Sequence, residues 1–386
     1  MKTENVKGFR DIEDATKKIA IRNIIENNFK LYNYKPVETP TIEYEEFVKG
    51  NNLNDEAVSD IFKLKDKGKR NLALRYEFTF QLKRLSKNKK LPYKRYQIGQ
   101  VFRDEPITGN RWREFTQCDL DVIGSDVKNE AEILNITSKI LKELKINATI
   151  NINNRKLLNE ILEKNRIKEK DKFNVIKELD KLDKLSEKKV KNNLKKYNAE
   201  KILGILKKPE KFFEKYKFYS EIKEIKKSCS LYGIKINFIP FLARGLSYYN
   251  GNIFEIRSDL KETIAAGGSY TINNMQGTGI SFGLDRLEMI AKIDSSIKKV
   301  LIISLNQDKK SIALAEKLRA SKLICDIYYG KPGKALDYAN STNIPLVIFV
   351  GNEEVKKRKY KLKNMNTGNE KLISENNLEK ELNKFD

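Results

Sequence analysis

The 386-residue sequence contains no histidine and only three cysteines. Without histidine, the chain cannot form a His-based general base, a Ser-His or Cys-His nucleophile pair, or a His-ligated metal site. Cys118, Cys229 and Cys325 are isolated and lack CxxC spacing, which excludes a disulfide framework and a cysteine-rich zinc site. We expect reduced, structural thiols. Any catalysis must therefore use carboxylates, arginines and bound cations.

Long apolar runs are also missing. No run approaches the roughly 20 residues that span a bilayer, and the N-terminal segment MKTENVKGFRD lacks the apolar core of a signal peptide. These absences predict a cytoplasmic protein without a membrane partner. The formal net charge is +24, and such a surplus of lysine and arginine favours a polyanionic partner such as RNA. A biased genome, rich in Lys, Asn and Ile codons, is the alternative explanation of that charge.

The stretch at residues 95–124, RYQIGQVFRDEPITGNRWREFTQCDLDVIG, is the most informative in the chain. Its two ends alternate apolar and polar residues, which predicts the two strands of a hairpin. Arginines, carboxylates and aromatic residues crowd its tip: Arg103, Glu105, Arg111, Trp112, Arg113, Glu114 and Phe115. Arginine binds phosphate oxygens bidentately and an aromatic ring can stack on adenine, so the tip suits a polyphosphate with a planar base. A two-stranded ribbon with a solvated charged tip is the alternative.

The order F-R-x-E, a loop, then R-E-F-x-Q resembles motif 2 of the class II aminoacyl-tRNA synthetases, and within that class the chain resembles the histidyl-tRNA synthetase family. GFRD at 8–11, a predicted helix over 14–31 and an extended segment ending at Pro40 resemble motif 1, which implies a homodimer. GTGISFGLDRL at 277–287 predicts a strand that runs into a helix and resembles motif 3. Its spacing is not a Rossmann fingerprint, and the sequence contains no GxxxxGK[ST] loop.

Three further segments resemble motifs of this family that concern the amino acid. They are LRYEFT at 74–79, RGLSYYNG at 244–251 and AAGGSYT at 265–271. Ser247 stands where the family has Asp, and Ser269 and Thr271 stand where it has Arg and Asp. Taken without the resemblance, Glu77 and Thr79 suit an exposed edge and a helix cap, a tyrosine pair suits plain packing, and Gly-Gly suits a turn.

The resemblance implies a role for individual residues. The catalytic residues would be Arg103 and Arg244, on opposite sides of the α-phosphate. The ATP-binding residues would be Arg103, Glu105, Arg111, Phe115 and Arg286. The histidine-binding residues would be Glu77, Thr79, Gln117, Asp121, Arg244, Tyr248, Tyr249 and Tyr270. Adenylate formation suits a chain without histidine, because the substrate carboxylate is itself the nucleophile and the enzyme supplies positioning and charge.

Asp121 would face the substrate imidazole. A carboxylate opposite a ring N–H explains selectivity, because a substrate without that donor leaves the charge buried and unpaired. Asp119 shares the same predicted strand face, so one of the two could be only a solvated neighbour.

The remaining patterns predict the domain organisation. Residues from Arg155 to about Ser228 are rich in Lys and Glu with apolar residues at helical spacing, which is typical of a helical bundle. Its basic faces either contact tRNA or are simply solvated. Strand and helix patterns alternate after residue 298, as in a small α/β domain, and this part resembles the family's anticodon-binding domain. We predict an α+β class II synthetase catalytic core on an antiparallel sheet (1–154 and 231–295), a helical insertion (155–230) and an anticodon-binding domain (298–386).

The resemblance implies that ATP and L-histidine, with Mg²⁺, form histidyl adenylate, from which histidine passes to tRNA(His). We therefore expect L-histidine and tRNA, and not DNA, as partners, and no protein-held metal. A catalytically inactive relative is the alternative, either a regulatory subunit of ATP phosphoribosyltransferase or an RNA sensor. The altered residues Ser247, Ser269 and Thr271 are its only support, whereas the phosphate-binding arginines and the C-terminal domain favour the enzyme.

Overall fold

A computed structural model of the chain describes residues 3–50, 56–109, 111–183, 185–245, 247–258, 263–294, 299–382 and 384. The chain divides into two compact units, Met1–Asp294 and Ser295–Asp386. In the part of the chain just defined, no helix is both long and apolar enough to cross a membrane. Leu246 of the RGLSYYNG segment, residue 298 at the start of the predicted anticodon-binding domain and the terminal residues 385 and 386 lie outside the described residues.

A large mixed sheet forms the centre of the first unit. The strands of this unit are β1 (Lys35–Pro36), β2 (Ile42–Tyr44), β3 (Lys63–Lys65), β4 (Asn71–Leu74), β5 (Tyr93–Phe102), β6 (Glu114–Ile123), β7 (Thr149–Asn154), β8 (Asn237–Phe238), β9 (Tyr249–Arg257), β10 (Ala265–Ile272) and β11 (Met275–Gly283). Within the described residues, eight of them form one sheet in the order β1-β5-β6-β11-β10-β9-β7-β8. The central strands pair antiparallel, as predicted, and the short strands β1 and β8 add parallel edges. β2, β4 and β3 form a separate small sheet that the sequence pattern did not indicate.

Helices cover this sheet and close its core. They are α1 (Thr16–Leu31), α2 (Glu45–Lys49), α3 (Glu56–Ser59), α4 (Leu82–Leu85), α5 (Val127–Glu143), α6 (Arg155–Lys164), α7 (Glu169–Asp180), α8 (Glu187–Leu194), α9 (Ile202–Leu206), α10 (Tyr219–Ser230) and α11 (Leu284–Ile290). In α1, Ile21, Ile25 and Phe29 recur every four residues and are fully buried, which is the helical spacing that predicted it. Asp126 caps α5 by accepting the backbone N–H groups of Lys128 and Asn129.

The segment between β7 and β8 is helical, as its pattern predicted. Its helices α6 to α10 contribute Leu157, Ile161, Val175 and Ile222 to the same buried cluster that underlies the sheet. The segment is therefore packed into the core of the first unit and does not form a core of its own.

The second unit is a small α/β fold. Its strands are β12 (Lys299–Ser304), β13 (Ile324–Tyr329), β14 (Leu346–Val350), β15 (Lys359–Asn364) and β16 (Glu370–Ser374), and its helices are α12 (Asp308–Ala320), α13 (Pro332–Ser341), α14 (Asn352–Lys357) and α15 (Leu378–Leu382). In the described part, the strand order is β13-β12-β14-β15-β16. Alternate residues of β12 enter two clusters, one with α12 and one with α13, so both faces of the sheet are covered. The predicted βα alternation is confirmed, whereas the β15–β16 hairpin was not predicted.

The cysteines are structural, as expected. Cys118 in β6, Cys229 in α10 and Cys325 in β13 are buried and free. Burial raises the pKa of the Cys229 thiol to about 12 and that of Cys325 to about 11, and it also raises the pKa of Cys118.

Candidate active site

A cavity of about 690 Å³ lies over the central strands of the first unit, a volume typical of small-molecule sites. All of the predicted site residues line it: Glu77, Thr79, Arg103, Glu105, Arg111, Phe115, Gln117, Asp121, Arg244, Tyr248, Tyr249, Tyr270 and Arg286. They come from segments far apart in sequence, and the strand order β6-β11-β10-β9 places those segments side by side. Sequence patterns could propose the residues, but only strand pairing brings them to one place. The role of each residue stays a prediction.

The hairpin of β5 and β6 holds the first group of charges. Arg103 donates from Nε to the carbonyl of Tyr76 at 3.1 Å and from Nη2 to Gln117 Oε1 at 3.2 Å. Its guanidinium lies 5.3 Å from the centre of the Phe115 ring. The Glu105 carboxylate lies 3.4 Å from Arg111 and 3.8 Å from Arg103. Both guanidiniums remain half-exposed, so they can reach a polyanion that enters the cavity.

Asp285 anchors this hairpin to two other segments. Its carboxylate accepts the backbone N–H of Thr116 at 2.8 Å and contacts Lys18 at 2.8 Å and Arg10 at 3.0 Å. Burial alone would raise the pKa of Asp285, but these donors and cations lower it below its usual range. The first turn of α11, at the end of motif 3, and the N-terminal segment therefore fix the strand that carries Phe115 and Gln117.

A buried glutamate joins two arginines from different motifs. Glu255 in β9 is 1% exposed, lies 3.4 Å from Nη1 of Arg244 and accepts the Thr263 hydroxyl at 2.9 Å. The Thr263 carbonyl in turn accepts Nη1 of Arg286 at 2.5 Å. Glu255 is not among the residues predicted from the sequence, although a lone carboxylate in the apolar strand NIFEIR is a signal that could have identified it.

The helical segment also contributes to the cavity. Asp180, the last residue of α7, lines it together with Arg244. Burial alone would lower the pKa of Arg244, but the Asp180 charge raises it above its usual range. The Arg244 carbonyl accepts Nη2 of Arg155 at 2.5 Å. No sequence signal distinguishes Asp180 from the many other acidic residues of this Lys- and Glu-rich segment.

A carboxylate and three tyrosines form the opposite end of the cavity. Glu77 is 5% exposed and accepts the Tyr248 hydroxyl at 3.3 Å, so its interpretation as an exposed edge is wrong. The Tyr248 ring lies 4.7 Å from that of Tyr249 and 5.9 Å from that of Tyr270. Burial raises the pKa of Tyr248 and Tyr270 well above the ordinary value. These hydroxyls therefore stay protonated and can donate hydrogen bonds.

Two buried carboxylates in β6 also line the cavity. Asp119 and Asp121 are each 3% exposed and both line the cavity, so neither is a solvated neighbour. Asp121 accepts the Tyr270 hydroxyl at 2.5 Å and lies 2.9 Å from Nη2 of Arg95. Burial raises the pKa of Asp119 to about 6, an effect that Arg95 opposes and the Asp121 charge increases. Sequence analysis did not select Arg95.

The three departures from the family motifs do not line the cavity. Among the described residues, its walls do not include Ser247, Ser269 or Thr271. The Ser269 hydroxyl donates to Glu130 of α5, and the Thr271 hydroxyl accepts the amide of Asn250. The serine and threonine side chains at these positions therefore contribute no group to the cavity wall.

The comparisons with known proteins agree with this architecture. Residues 8–287 match the family model described as histidyl-tRNA synthetase, and residues 299–385 match the anticodon binding domain. The histidine–tRNA ligase 2 of Shouchella clausii is 34% identical over 415 residues, covering 96% of this chain and 98% of the relative. The histidine–tRNA ligase of Wolinella succinogenes is 33% identical and 94% of each chain is covered.

Solved structures show the same fold. The histidyl-tRNA synthetase from Nostoc sp. PCC 7120 has a TM-score of 0.85 at 23% identity, over 99% of both chains. A protein described as an ATP phosphoribosyltransferase regulatory subunit/histidyl-tRNA synthetase, from Bacillus halodurans C, has a TM-score of 0.75 at 22% identity, over 90% of this chain and 98% of that one. One family model matches the first unit, a second matches the small unit, and the relatives align over nearly their whole length. The chain therefore belongs to the histidyl-tRNA synthetase family.

Proposed function

We propose that the chain ligates L-histidine to tRNA(His) in two steps. A histidine carboxylate oxygen attacks the α-phosphorus of ATP, the bond from that phosphorus to the β-phosphate oxygen breaks, and pyrophosphate leaves. A hydroxyl of the terminal tRNA ribose then attacks the carbonyl carbon of histidyl adenylate, and AMP leaves. One observation carries the proposal: in a chain of this family, arginines, carboxylates and tyrosines from separate motifs line one cavity of about 690 Å³.

The arginines supply the positive charge that the first step needs. Arg103 and Arg244 would bind the α-phosphate from two different elements and stabilise the charge that grows there in the transition state. Phe115 would stack on adenine beside Arg103, to which it already lies close. Glu105 would bind the adenine edge, while Arg111 and Arg286 would bind the γ-phosphate. No general base is required, since the attacking carboxylate is already ionised.

The carboxylates and tyrosines would select the amino acid. Buried Glu77 would bind the α-ammonium group, because an ammonium that leaves water needs a fixed carboxylate. Gln117 and Thr79 would complete the contacts to the substrate backbone. Asp121 and Tyr249 would bind the imidazole, and Tyr248 and Tyr270 would hold the surrounding wall in place.

ATP would enter as its Mg²⁺ complex. Among the described residues, no group of three or more His, Cys, Asp or Glu side chains could hold a metal ion. The phosphates would therefore supply most of the ligands, as is usual for Mg²⁺ bound with one or two protein carboxylates.

The proposal also covers the oligomeric state, the nucleic-acid partner and the domain organisation. We expect a cytoplasmic homodimer that binds tRNA and not DNA, through motif 1 at the dimer interface and the C-terminal unit at the anticodon. The chain would be organised as a catalytic core at 1–154 and 231–295, a helical insertion at 155–230 and an anticodon-binding domain at 298–386. Sedimentation of the purified protein would test the dimer, whose mass should be twice 44.9 kDa.

Amino-acid-dependent ATP–pyrophosphate exchange tests the chemistry, with L-histidine compared against a panel of other amino acids. We expect exchange with histidine alone, followed by charging of a tRNA(His) transcript. Absence of exchange from folded protein would contradict the enzyme and support the inactive regulatory or RNA-sensing alternative, which no observation on this chain favours.

A further inference from the structure

A buried arginine lies under the histidine end of the cavity. Arg95 in β5 is 0% exposed and stands directly opposite Asp121 in β6. Its Nη2 atom lies 2.9 Å from Asp121 Oδ2 and also donates to the carbonyl of Phe78 at 3.1 Å. In the described part of the chain, its Nε and Nη1 atoms have no hydrogen-bond partner.

Hydrogen bonding by Arg95 therefore contributes little to the stability of the fold. Burying a guanidinium costs free energy, and each buried N–H without a partner adds to that cost. Replacing a whole buried ion pair by apolar residues of similar volume is often neutral or stabilising, whereas removing Arg95 alone would leave the Asp121 charge buried without its partner. The charge of Arg95, and not its hydrogen bonding, is what the position provides.

The charge is needed because two carboxylates are buried together. Asp119 and Asp121 occupy alternate positions of β6, so both point to the same face, and both are almost inaccessible to water. Several charged or titratable groups interact electrostatically with Asp121. They are Arg95 and Tyr93 in β5, Asp119 in β6, Tyr249 in β9, Tyr270 in β10 and Tyr34 after α1. Arg95 is the one cation among them, and without it two like charges would share a site of low polarity.

Gly279 of β11 fixes the geometry from the other side. A Cβ atom at this position would lie 2.1 Å from Asp121 Oδ1, so only glycine lets the carboxylate lie flat against the neighbouring strand. Asp121 is thus held by Arg95 on one strand, by the Tyr270 hydroxyl on another and by the bare backbone of a third.

We infer that Arg95 is a specificity-determining positioning residue: it keeps Asp121 ionised and aimed at the ring of the bound histidine. This inference rests on the proposed function, because it deepens the role of one carboxylate in that site. Arg95 does not touch the substrate itself and acts through Asp121. Its loss should weaken histidine binding while leaving the chemistry at the α-phosphate largely unchanged.

The test compares wild type with Arg95→Met, Arg95→Lys and the double variant Arg95→Met/Asp119→Asn. Lys94→Met is the matched control, because Lys94 is the adjacent residue of β5, is also ion-paired, to Glu132 at 2.5 Å, and does not line the cavity. Circular dichroism establishes that each variant is folded. For Arg95→Met we expect KM for histidine in pyrophosphate exchange to rise about tenfold or more at neutral pH, with kcat nearly unchanged, since one pKa unit is a tenfold change in the ionised fraction.

Two measurements distinguish the effect of the Arg95 charge from the effect of its side-chain volume. Removing Arg95 should raise the pKa of the pair, so the pH at which histidine binding reaches half its maximum should move upward. Arg95→Lys should reverse this change, and so should the double variant, which removes the second carboxylate together with the cation. The inference is overturned if Arg95→Met matches Lys94→Met, or if the double variant is as weak as Arg95→Met and the pH profile does not move.

An infrared measurement keeps this test independent of the proposed function. Arg95→Met should show a stronger C=O band of protonated carboxyl at neutral pH than wild type, and Arg95→Met/Asp119→Asn should lose this increase, while the buried Glu130 carboxyl contributes equally to all three. If wild type shows no histidine-dependent exchange but the band behaves in this way, the proposed function fails and the charge role of Arg95 stands. If exchange is normal and the band does not change, the inference about Arg95 fails alone.

Discussion

At the scale of single residues, the arginines and carboxylates of the cavity are held in place by ion pairs with one another. Several groups position Arg244: Glu255 contacts its guanidinium, Arg155 donates to its carbonyl and Asp180 lies in the same wall. A preorganised cation of this kind costs no reorganisation when negative charge develops on the α-phosphate.

Arg244→Ala should therefore lower the rate of adenylate formation by roughly 10²–10³, as removal of one preorganised donor typically does. Pre-steady-state measurement of adenylate formation gives this rate directly. Arg257→Ala is the matched control, because Arg257 contacts the same Glu255 but does not line the active-site cavity. An equal loss in both variants would mean that Arg244 acts only through the network and not on the phosphate.

Gly279 permits a second residue-scale prediction. In Gly279→Ala the new methyl group must displace Asp121, so KM for histidine should rise about tenfold, which corresponds to the lower part of the usual overpacking cost. Gly204→Ala is the control, because a Cβ there meets nothing within 4 Å and the substitution should leave KM unchanged. A normal KM in Gly279→Ala would show that the Asp121 position is not critical for histidine binding.

At the scale of elements, periodicity predicted α1, the β5–β6 hairpin and the strand-to-helix step of motif 3, because each has regularly spaced apolar residues. The same patterns could not identify Arg95, Glu255 or Asp180. Their significance depends on which strand or helix lies beside them, and strand order is set by tertiary pairing that leaves no local trace. The small β2-β4-β3 sheet was not predicted either, because its strands are short and mostly exposed and so carry no clear apolar pattern.

The end of α7 is an element whose contribution can be tested. Asp180→Asn removes the negative charge beside Arg244 while keeping the size of the side chain, so Arg244 should be held less firmly and kcat should fall. We expect a loss of about tenfold, which is about 1.4 kcal/mol and smaller than that of Arg244→Ala, because the Asp180 charge acts on Arg244 and not on the phosphate. Glu169→Gln, at the exposed start of the same helix, should change nothing. Unaltered exchange kinetics in Asp180→Asn would contradict the prediction.

The junction of α5 with the sheet should respond to pH. Burial raises the pKa of Glu130 to about 7, and its carboxyl contacts Asn252 of β9 at 2.6 Å and Ser269 of β10. A folded-state pKa above the unfolded one stabilises the protein fully at low pH, and that stabilisation is lost as the pH rises through about 7. Between about pH 4.5 and pH 7 we expect the unfolding free energy of wild type to fall by roughly 3 kcal/mol at most relative to Glu130→Gln, and its Tm to fall accordingly. Parallel Tm profiles of the two proteins would contradict this expectation.

At the scale of the whole molecule, the chain has two compact units and a net charge of +24. Under the proposed function, histidine and ATP would bind in the cavity of the first unit, where the charges are partly shielded from salt. A tRNA would contact exposed lysines and arginines, whose attraction to phosphates falls steeply with ionic strength.

Salt should therefore separate the two reactions. As the concentration of salt rises, KM for tRNA in the charging reaction should increase along a steep log–log line, whereas histidine-dependent pyrophosphate exchange should change little. Both reactions are measured on the same intact protein, which serves as its own control. Equal sensitivity of the two would mean that the excess charge plays no part in tRNA binding.

The three buried thiols can report the unfolding of each unit. Cys118 and Cys229 lie in the core of the first unit and Cys325 lies in that of the second. An alkylating reagent cannot react with any of them until the surrounding core opens. Timed alkylation followed by peptide mass spectrometry would thus record, from natural residues alone, which unit opens first under heat or denaturant and whether ATP or histidine delays only the first.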